Sequence, residues 1–448
     1  MLLRFNAENF LSFKEKINFS LISNKERRKS SHYIKNKGIN ILKTSIIYGA
    51  NASGKSNLVK AIYFSQKVIT KGLDKLDVTN QHYRLDENYI DKPTIFNYEI
   101  KANNKFYSYG FALQLNKGKI LEEWLYEIGT NKEKKIFERF VENNEHKIEI
   151  GLKLNKSAEI RFDVYNKDFK SSDTILFLSE INRKSIDDFP EAIDFKNVYE
   201  WFDNKLTVLF PNSKYAGLNF IGDDNTMSTV FNEFLNVFQT GISNIISEEI
   251  NIEQFDIPKR IKEDLVEKIK KQKTILFEIN GITYSLRKTK KEYKIKKIGL
   301  EHITDKGGKI VFDFDNESDG TQRLFDFIPA LHGMTKSDYV FVIDELDRSL
   351  HSKLTYGIIE LFLELSKGNE SQLIATTHES LLLDLNLLRR DEIWFVEKNK
   401  NKSKLFSLDE FKVRNDKIVR KDYLLGRYGA IPIFKSFKNI KLEEWQVD

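Results

Sequence analysis

The sequence predicts a mixed α/β fold in which a mostly parallel sheet, an antiparallel β lobe and a compact, mainly helical insertion share one chain. Three observations point there. Short apolar runs (KTSIIYG, YVFVID, QLIATTH and EIWFVE) stand towards the two ends of the chain beside helical periodicity, the pattern of buried parallel strands. Between residues 95 and 165 apolar and aromatic segments are separated by Asn, Lys and Gly, as in antiparallel hairpins. From about Thr174 to Lys273 the period becomes that of helices.

Taken in order, the opening LLRFNAENFLSFKEKINFSL reads as two short strands joined by a turn, and NKERRKS after it as a charged loop. KTSIIYG then ends at Gly49, and from Gly54 onward Leu58, Ala61, Ile62 and Ser65 recur at helical spacing, giving strand, loop and helix. TIFNYEI, KFYSYGFAL, WLYEIG, IFERF and AEIRFDVY are expected strands of the lobe. TVFNEFLNVFQTGISNIISEEI and IKEDLVEKIKKQ are expected helices, without the sustained a/d seam that a long coiled-coil arm requires. ILFEING and ITYSLRK form a hairpin about Asn280–Gly281. Beyond it, the helix between YVFVID and QLIATTH carries Leu354, Ile358, Leu361, Phe362 and Leu365 on one face.

Composition narrows the function classes. The chain of 448 residues has no cysteine, which excludes disulfides and thiolate metal sites and fits a reducing cytoplasm. No stretch approaches the roughly 18 apolar residues of a membrane span, and the N-terminus lacks a signal-peptide core, so a soluble intracellular protein is expected. A net charge of +6 is small beside 72 basic and 66 acidic residues, which is not the field of a nucleic-acid coat. One basic run, RKTKKEYKIKK from Arg287 to Lys297, reads either as a strand with a solvated face or as a phosphate-backbone contact.

The chemistry sits in a few motifs. GANASGKS, from Gly49 to Ser56, matches GxxxxGK[ST] between a strand and a helix; with Asn57 it supplies Gly49, Ala50, Asn51, Ala52, Ser53 and Gly54 to turn backbone N–H groups toward phosphate. Lys55 would reach the β and γ phosphates of ATP, and Ser56 would ligate Mg²⁺. YVFVIDE delivers Asp344 and Glu345 to a strand tip, where Asp344 would hold Mg²⁺ and Glu345 would deprotonate the attacking water. An isolated acid pair there more often ends a strand in solvent; the upstream loop gives it meaning. QLIATTH brings His378 to a neighbouring tip as a γ-phosphate sensor, although a lone histidine is ordinarily structural. In NESDGTQRLFDFIPAL, Ser318 and Gly320 open a helix striped with Leu324, Phe327, Ile328 and Leu331, which is an ordinary cap or a second anion site. Gln81, and less favourably Gln66, could offer an amide oxygen to Mg²⁺. TKSD (Thr335–Asp338) matches a guanine-selecting loop, but it directly precedes the acid strand and would not face a base.

The order of P-loop, long insertion, SDG loop, VIDE strand, DRSLH and TTH resembles the ABC-type ATPase heads of the SMC, RecF and Rad50 group. ESDGTQR stands where that group's LSGGQ signature is expected; it departs at the first and third positions and keeps Ser318 and Gly320. The resemblance implies a head-to-tail dimer in which Ser318 of one chain caps the phosphate held by Lys55 of the other, with Asp347 crossing the interface. It also implies three segments: residues 1–170 and 274–448 as the two halves of an ATPase head, and 171–273 as the insertion. More narrowly, ESDGTQRLF, DELDRSLH and LLGRYGAIP look like the OLD-like ATPases of anti-phage defence, of the RloA and AbiL type. About 70 residues follow His378, too few for another average domain, so an effector such as a nuclease or toxin is expected as a separate chain. The leading expectation is therefore an ATP-hydrolysing sensor of an abortive-infection system. A RecF-like DNA-repair or chromosome-maintenance ATPase that clamps nucleic acid is the alternative, and a P-loop kinase or GTPase a third.

Overall fold

The computed structural model describes residues 1–26, 28–36, 38–129, 132–142, 145–169, 172–184, 192–212, 225–270, 274–279, 282–289, 292–336, 338–414 and 417–432. The chain divides into two compact units: one is built from residues 2–204 together with the return of the chain from residue 375, the other essentially from residues 205–374.

The first unit contains the antiparallel lobe. Strands β1 (Leu2–Glu8) and β2 (Ile17–Ser20) pair as the opening predicts; β3 (Tyr33–Asn36) and β4 (Ile39–Leu42) make a small hairpin, and β5 (Thr44–Tyr48) leads into α1 (Lys55–Lys71). Then β6 (Thr94–Ala102), β7 (Lys105–Gln114), β8 (Lys119–Ile128), β9 (Glu133–Glu142) and β10 (Glu145–Ile150) complete a seven-stranded sheet in the order β10-β9-β8-β7-β6-β1-β2. Its inward residues are aromatic: Tyr98 packs at 4.7 Å from Phe5 and 4.9 Å from Phe202. The Tyr98 hydroxyl also meets Ser65 Oγ at 2.6 Å, fixing the sheet against α1.

AEIRFDVY is not the expected strand; it lies in helix α2 (Lys156–Phe169). Apolar residues at 158, 160, 162 and 164 suggest a period of two, yet Ala158, Phe162 and Phe169 are buried while Ile160 and Val164 are exposed. Asn155 starts the helix: its Oδ1 accepts the Ala158 N–H at 2.9 Å. Asn155→Ala should cost about 1 kcal/mol of unfolding free energy, read from the urea midpoint at unchanged m-value. Helices α3 (Phe177–Arg183) and α4 (Ile193–Glu200) follow. The buried Glu123 carboxylate, pushed up by burial, accepts the N–H groups of Phe177 and Leu178 at 2.6 and 3.0 Å and so seats α3 on the sheet.

The second unit begins with β11 (Leu206–Leu209), a strand not expected from the sequence, which runs parallel to β17 (Val340–Ile343). Between them lie α5 (Asn225–Val237), β12 (Ile242–Asn251), α6 (Lys259–Ile269), β13 (Thr274–Ile279), β14 (Ile282–Lys288), β15 (Tyr293–Ile303), β16 (Lys309–Asp313) and α7 (Asp319–Lys336); α8 (Ser352–Leu365) follows β17. The helix expected over residues 229–250 is thus half helix and half strand. Ile242, Ile245, Ile246 and Ile250 satisfy a helical period, but Gln239 and Gly241 turn the backbone at φ 53° and 81°, after which β-branched side chains favour pairing with β15. Sheet β12-β15-β14-β13, with β16 also on β15, buries Ile242, Ile245 and Leu300 against Phe231 and Leu235 of α5. The expected hairpin forms between β13 and β14; Asn280–Gly281 lies outside the described residues. On α8 the buried face is Thr355, Ile358, Ile359, Phe362 and Leu363, one position off the predicted stripe, with Leu354, Leu361 and Leu365 half-buried.

The basic run is not one strand: it ends β14 and opens β15, residues 290 and 291 lie outside the described residues, and Lys296 is buried. Lys294 and Lys296 pair with Glu249 at 3.2 and 3.0 Å, and Lys297 with Asp313 at 2.6 Å, so cross-strand carboxylates meet three of its cations.

The chain then returns to the first unit along β18 (Gln372–Thr376), β19 (Ile393–Asn399), β20 (Lys402–Ser407) and the short α9 (Val419–Leu424). β19 runs parallel to β5, with Phe395 opposite Tyr48, and antiparallel to β20. Among the described residues no helix is long and apolar enough to cross a membrane.

Candidate functional site

In the first unit, β5 is buried throughout and stops at Tyr48, and Gly49 to Gly54 turn into α1. Two glycines are required by space. A Cβ on Gly49 would lie 2.4 Å from Ser53 Oγ and 2.5 Å from the Val396 carbonyl; one on Gly54, at φ 113°, would lie 2.4 Å from Ser403 Oγ. Ala52 adopts φ 60°, a left-handed conformation that costs a non-glycine residue on the order of 1 kcal/mol. Lys55, 6% exposed, folds its ammonium back onto the carbonyls of Gly49 and Ala50 at 2.7 and 3.2 Å, across the mouth of the loop.

No side chain caps α1 and no acidic residue sits in its first turn. The first turn of the helix therefore brings no carboxylate of its own to the positive end of the dipole. The Ser53 hydroxyl, 3% exposed, has no hydrogen-bond partner. A cradle with no room for Cβ atoms, an orphaned buried hydroxyl, a buried lysine and an uncapped helix fits a polyphosphate anion.

Two serines that sequence reasoning missed brace this loop. Ser403 Oγ donates to the Ser53 carbonyl at 2.5 Å and meets the Ser12 hydroxyl at 2.8 Å, and Ser12 Oγ accepts from Asn57 Nδ2 at 2.7 Å. Ser12 and Ser403 are 391 positions apart and belong to no motif, so spacing offers no signal for them. Next to Ser12, the Leu11 N–H donates to the Gln81 carbonyl at 2.8 Å, which pins the Gln81 segment to the same turn. Gln66 is instead buried in α1 and donates to the Phe202 carbonyl at 2.8 Å. At the end of β18 the Thr377 N–H donates to the Ile47 carbonyl at 3.1 Å, so exposed His378 follows immediately beside the tip of β5. Lys55, Ser56, Gln81 and His378 therefore belong to one unit.

The second unit gathers Asp344, Glu345, Asp347, Ser318 and Gly320. Asp344 is 3% exposed at the end of β17, where its N–H donates to the Leu209 carbonyl of β11 at 2.8 Å. The unexpected strand β11 thus pairs with β17 up to this tip. Glu345 takes φ 50° and its backbone carbonyl accepts the Arg348 N–H at 3.1 Å; Ser349 takes φ 61°. Two left-handed non-glycine residues within five positions mark a loop held against its backbone preference. Asp347 is half-buried, and its backbone carbonyl accepts the Leu350 N–H at 3.1 Å.

Ser318 caps α7, its Oγ accepting the Thr321 N–H at 3.2 Å. Gly320 is pressed against the Ser349 carbonyl, where a Cβ would come within 2.7 Å. Ser318, Gly320, Ser349 and His351 border an open cavity of about 590 Å³ at the start of α7. Asp338 of the TKSD match precedes β17 and pairs with Lys205 at 2.5 Å; it does not sit beyond a strand tip, and Ser337 lies outside the described residues.

The family described as "AAA domain, putative AbiEii toxin, Type IV TA system" matches residues 45–384, from the strand before the P-loop to beyond His378. Similar solved structures include the Smc head bound to the C-winged helix domain of ScpA, at 15% identity and TM-score 0.39 over 91% of this chain and 97% of that chain. The SMC head domain from Thermotoga maritima is 12% identical with TM-score 0.36, covering 91% and 98% of the two chains. An Smc head from Pyrococcus furiosus, with an extended coiled coil and bound to the C-terminal domain of ScpA, is 14% identical with TM-score 0.36, covering 91% and 96%. No curated protein matches the sequence.

Proposed function

The chain belongs to that AbiEii-type AAA-domain family, and we propose on this premise that it binds and hydrolyses ATP as the dimerising sensor of an anti-phage, abortive-infection system, controlling a separate effector. The single observation that carries the nucleotide reading is the phosphate cradle: Gly49 and Gly54 leave no room for a side chain, while Lys55 spans the loop's mouth. In this reading residues 1–170 and 274–448 are the two halves of one ATPase head, and 171–273 are its insertion. Lys55 and the loop N–H groups from Ala50 to Asn57 hold the phosphates; Ser56, Asp344 and Gln81 would hold Mg²⁺. Bound Mg²⁺ would offset the charge that builds on the β and γ phosphates.

Glu345 takes a proton from the attacking water as the water oxygen bonds to the γ-phosphorus; the bond from that phosphorus to the β–γ bridging oxygen breaks, ADP leaves, and His378 hydrogen-bonds the transferred group. Ser318 and Asp347 act across a head-to-tail dimer, so turnover reports on association. The absence of cysteine supports a cytoplasmic setting, and the effector is a nuclease or toxin supplied in trans. The paired lysines of β15 speak against the DNA-clamping alternative, and Asp338's engagement by Lys205 against a guanine loop.

Ser318→Arg tests the dimer reading. Placing a bulky cation at the α7 cap should lower ATP turnover by on the order of 10²-fold, the effect of losing one stabilising donor in a transition state, while one chain's own ATP affinity stays unchanged. Undiminished turnover in a phosphate-release assay would sink the head-to-tail dimer.

A further inference from the structure

Arg323 stands outside the proposed ATPase machinery. It lies on α7, 6% exposed, with Nη1 donating to Asp326 at 3.3 Å and the guanidinium 4.6 Å from the Phe327 ring centre. Its Nε and Nη2 are buried without any hydrogen-bond partner. Leaving two donors of a buried cation unmet is costly, and such groups persist where a second conformation or a reacting partner uses them.

The surroundings indicate which partner. Gly320 abuts the Ser349 carbonyl, so the first turn of α7 rests on the loop that carries Glu345. Arg323 stands three residues further on, on the same helical face. Burial lowers the basicity of the guanidinium, the Asp326 carboxylate opposes that, Arg348 adds to it, and Glu345 opposes it again, so both loop charges lie within electrostatic reach. The Nε–Nη2 edge is the side of arginine that matches a carboxylate through two parallel bonds.

We propose that Arg323 is a positioning residue for Glu345: its unmet Nε–Nη2 edge takes the Glu345 carboxylate when α7 shifts, so that engagement of phosphate at Ser318 sets the base in place. The proposal rests on the reading of Glu345 as base and Ser318 as phosphate cap, and it adds the link between them. Helix α7 then acts as the lever: its N-terminus senses the partner's nucleotide and its second turn sets the base of its own chain. Hydrolysis is thereby conditional on association.

The test is a double-mutant cycle on the full chain, with turnover read by release of labelled phosphate and melting curves taken in parallel. Arg323→Gln should lower kcat by on the order of 10–100-fold, the range for a lost positioning contact, with KM for ATP within about twofold of the parent. Arg323→Lys, which keeps the charge without the fork, should stay nearer to Arg323→Gln than to the parent, and it serves as the probe if the glutamine variant does not fold. In a Glu345→Gln background neither change should lower the residual rate further. A loss that adds to that of Glu345→Gln, or one that appears in KM and not in kcat, overturns the proposal. If Glu345→Gln alone keeps full turnover, the reading of Glu345 as base fails instead, whatever Arg323 does.

Discussion

Lys55→Ala is expected to abolish useful nucleotide binding. The ammonium is buried and already bonded to two loop carbonyls, Gly49 at 2.7 Å and Ala50 at 3.2 Å, so it needs only to exchange carbonyl for phosphate oxygens when a nucleotide enters. Charge-assisted bonds of this kind contribute about 1.5–3 kcal/mol each. Losing two of them weakens binding by about 3–6 kcal/mol, on the order of 10²–10⁴ in Kd. Calorimetric titration with ATP at EDTA-buffered and Mg²⁺-containing conditions reads the effect. Full affinity in both would show that the cradle is not the nucleotide site.

What the sequence conveyed about this site depended on how local the determinants are. The P-loop is contiguous, and its strand, loop and helix follow from residues 43–71 alone; the buried tip at Asp344 follows from four apolar residues before it. The same holds for the lobe, where β6 to β9 are long alternating runs with short turns. Braces are another matter. Ser12 and Ser403 meet the loop from positions 391 apart, and a lone serine beside an aromatic or between lysines carries no periodic signal. Strand β11 is four residues long, and only its pairing with β17 defines it.

The two misread segments share one physical cause. In AEIRFDVY and in the isoleucine-rich stretch from Ile242, β-branched and aromatic residues satisfy two periods at once, and the capping or turn residue decides between them. Asn155 made the first a helix, and the Gln239–Gly241 turn made the second a strand. Arg323 was written into the motif ESDGTQR, but its significance is an unmet valence, which only packing exposes.

Glu345→Gln should stop turnover and hold the ATP-bound dimer. The substitution keeps the side chain's length and shape and removes its ability to accept a proton, so the loss falls on the chemical step. General-base catalysis contributes on the order of 10²–10⁴-fold, and that is the expected fall in kcat. Residue 345 adopts φ 50°, and glutamine meets the same left-handed penalty as glutamate, so loop geometry and association should survive. Because hydrolysis is then too slow to reopen the interface, the closed state accumulates in proportion to its intrinsic stability. Size-exclusion chromatography of the variant with ATP and Mg²⁺ should give a dimer where nucleotide-free protein elutes smaller. Lys55→Ala introduced into the same chain should return it to the smaller form, since the cradle can no longer hold the phosphate that joins the two copies. Elution as a monomer with ATP saturating would separate hydrolysis from association, and with it the premise that Ser318 completes a neighbour's site.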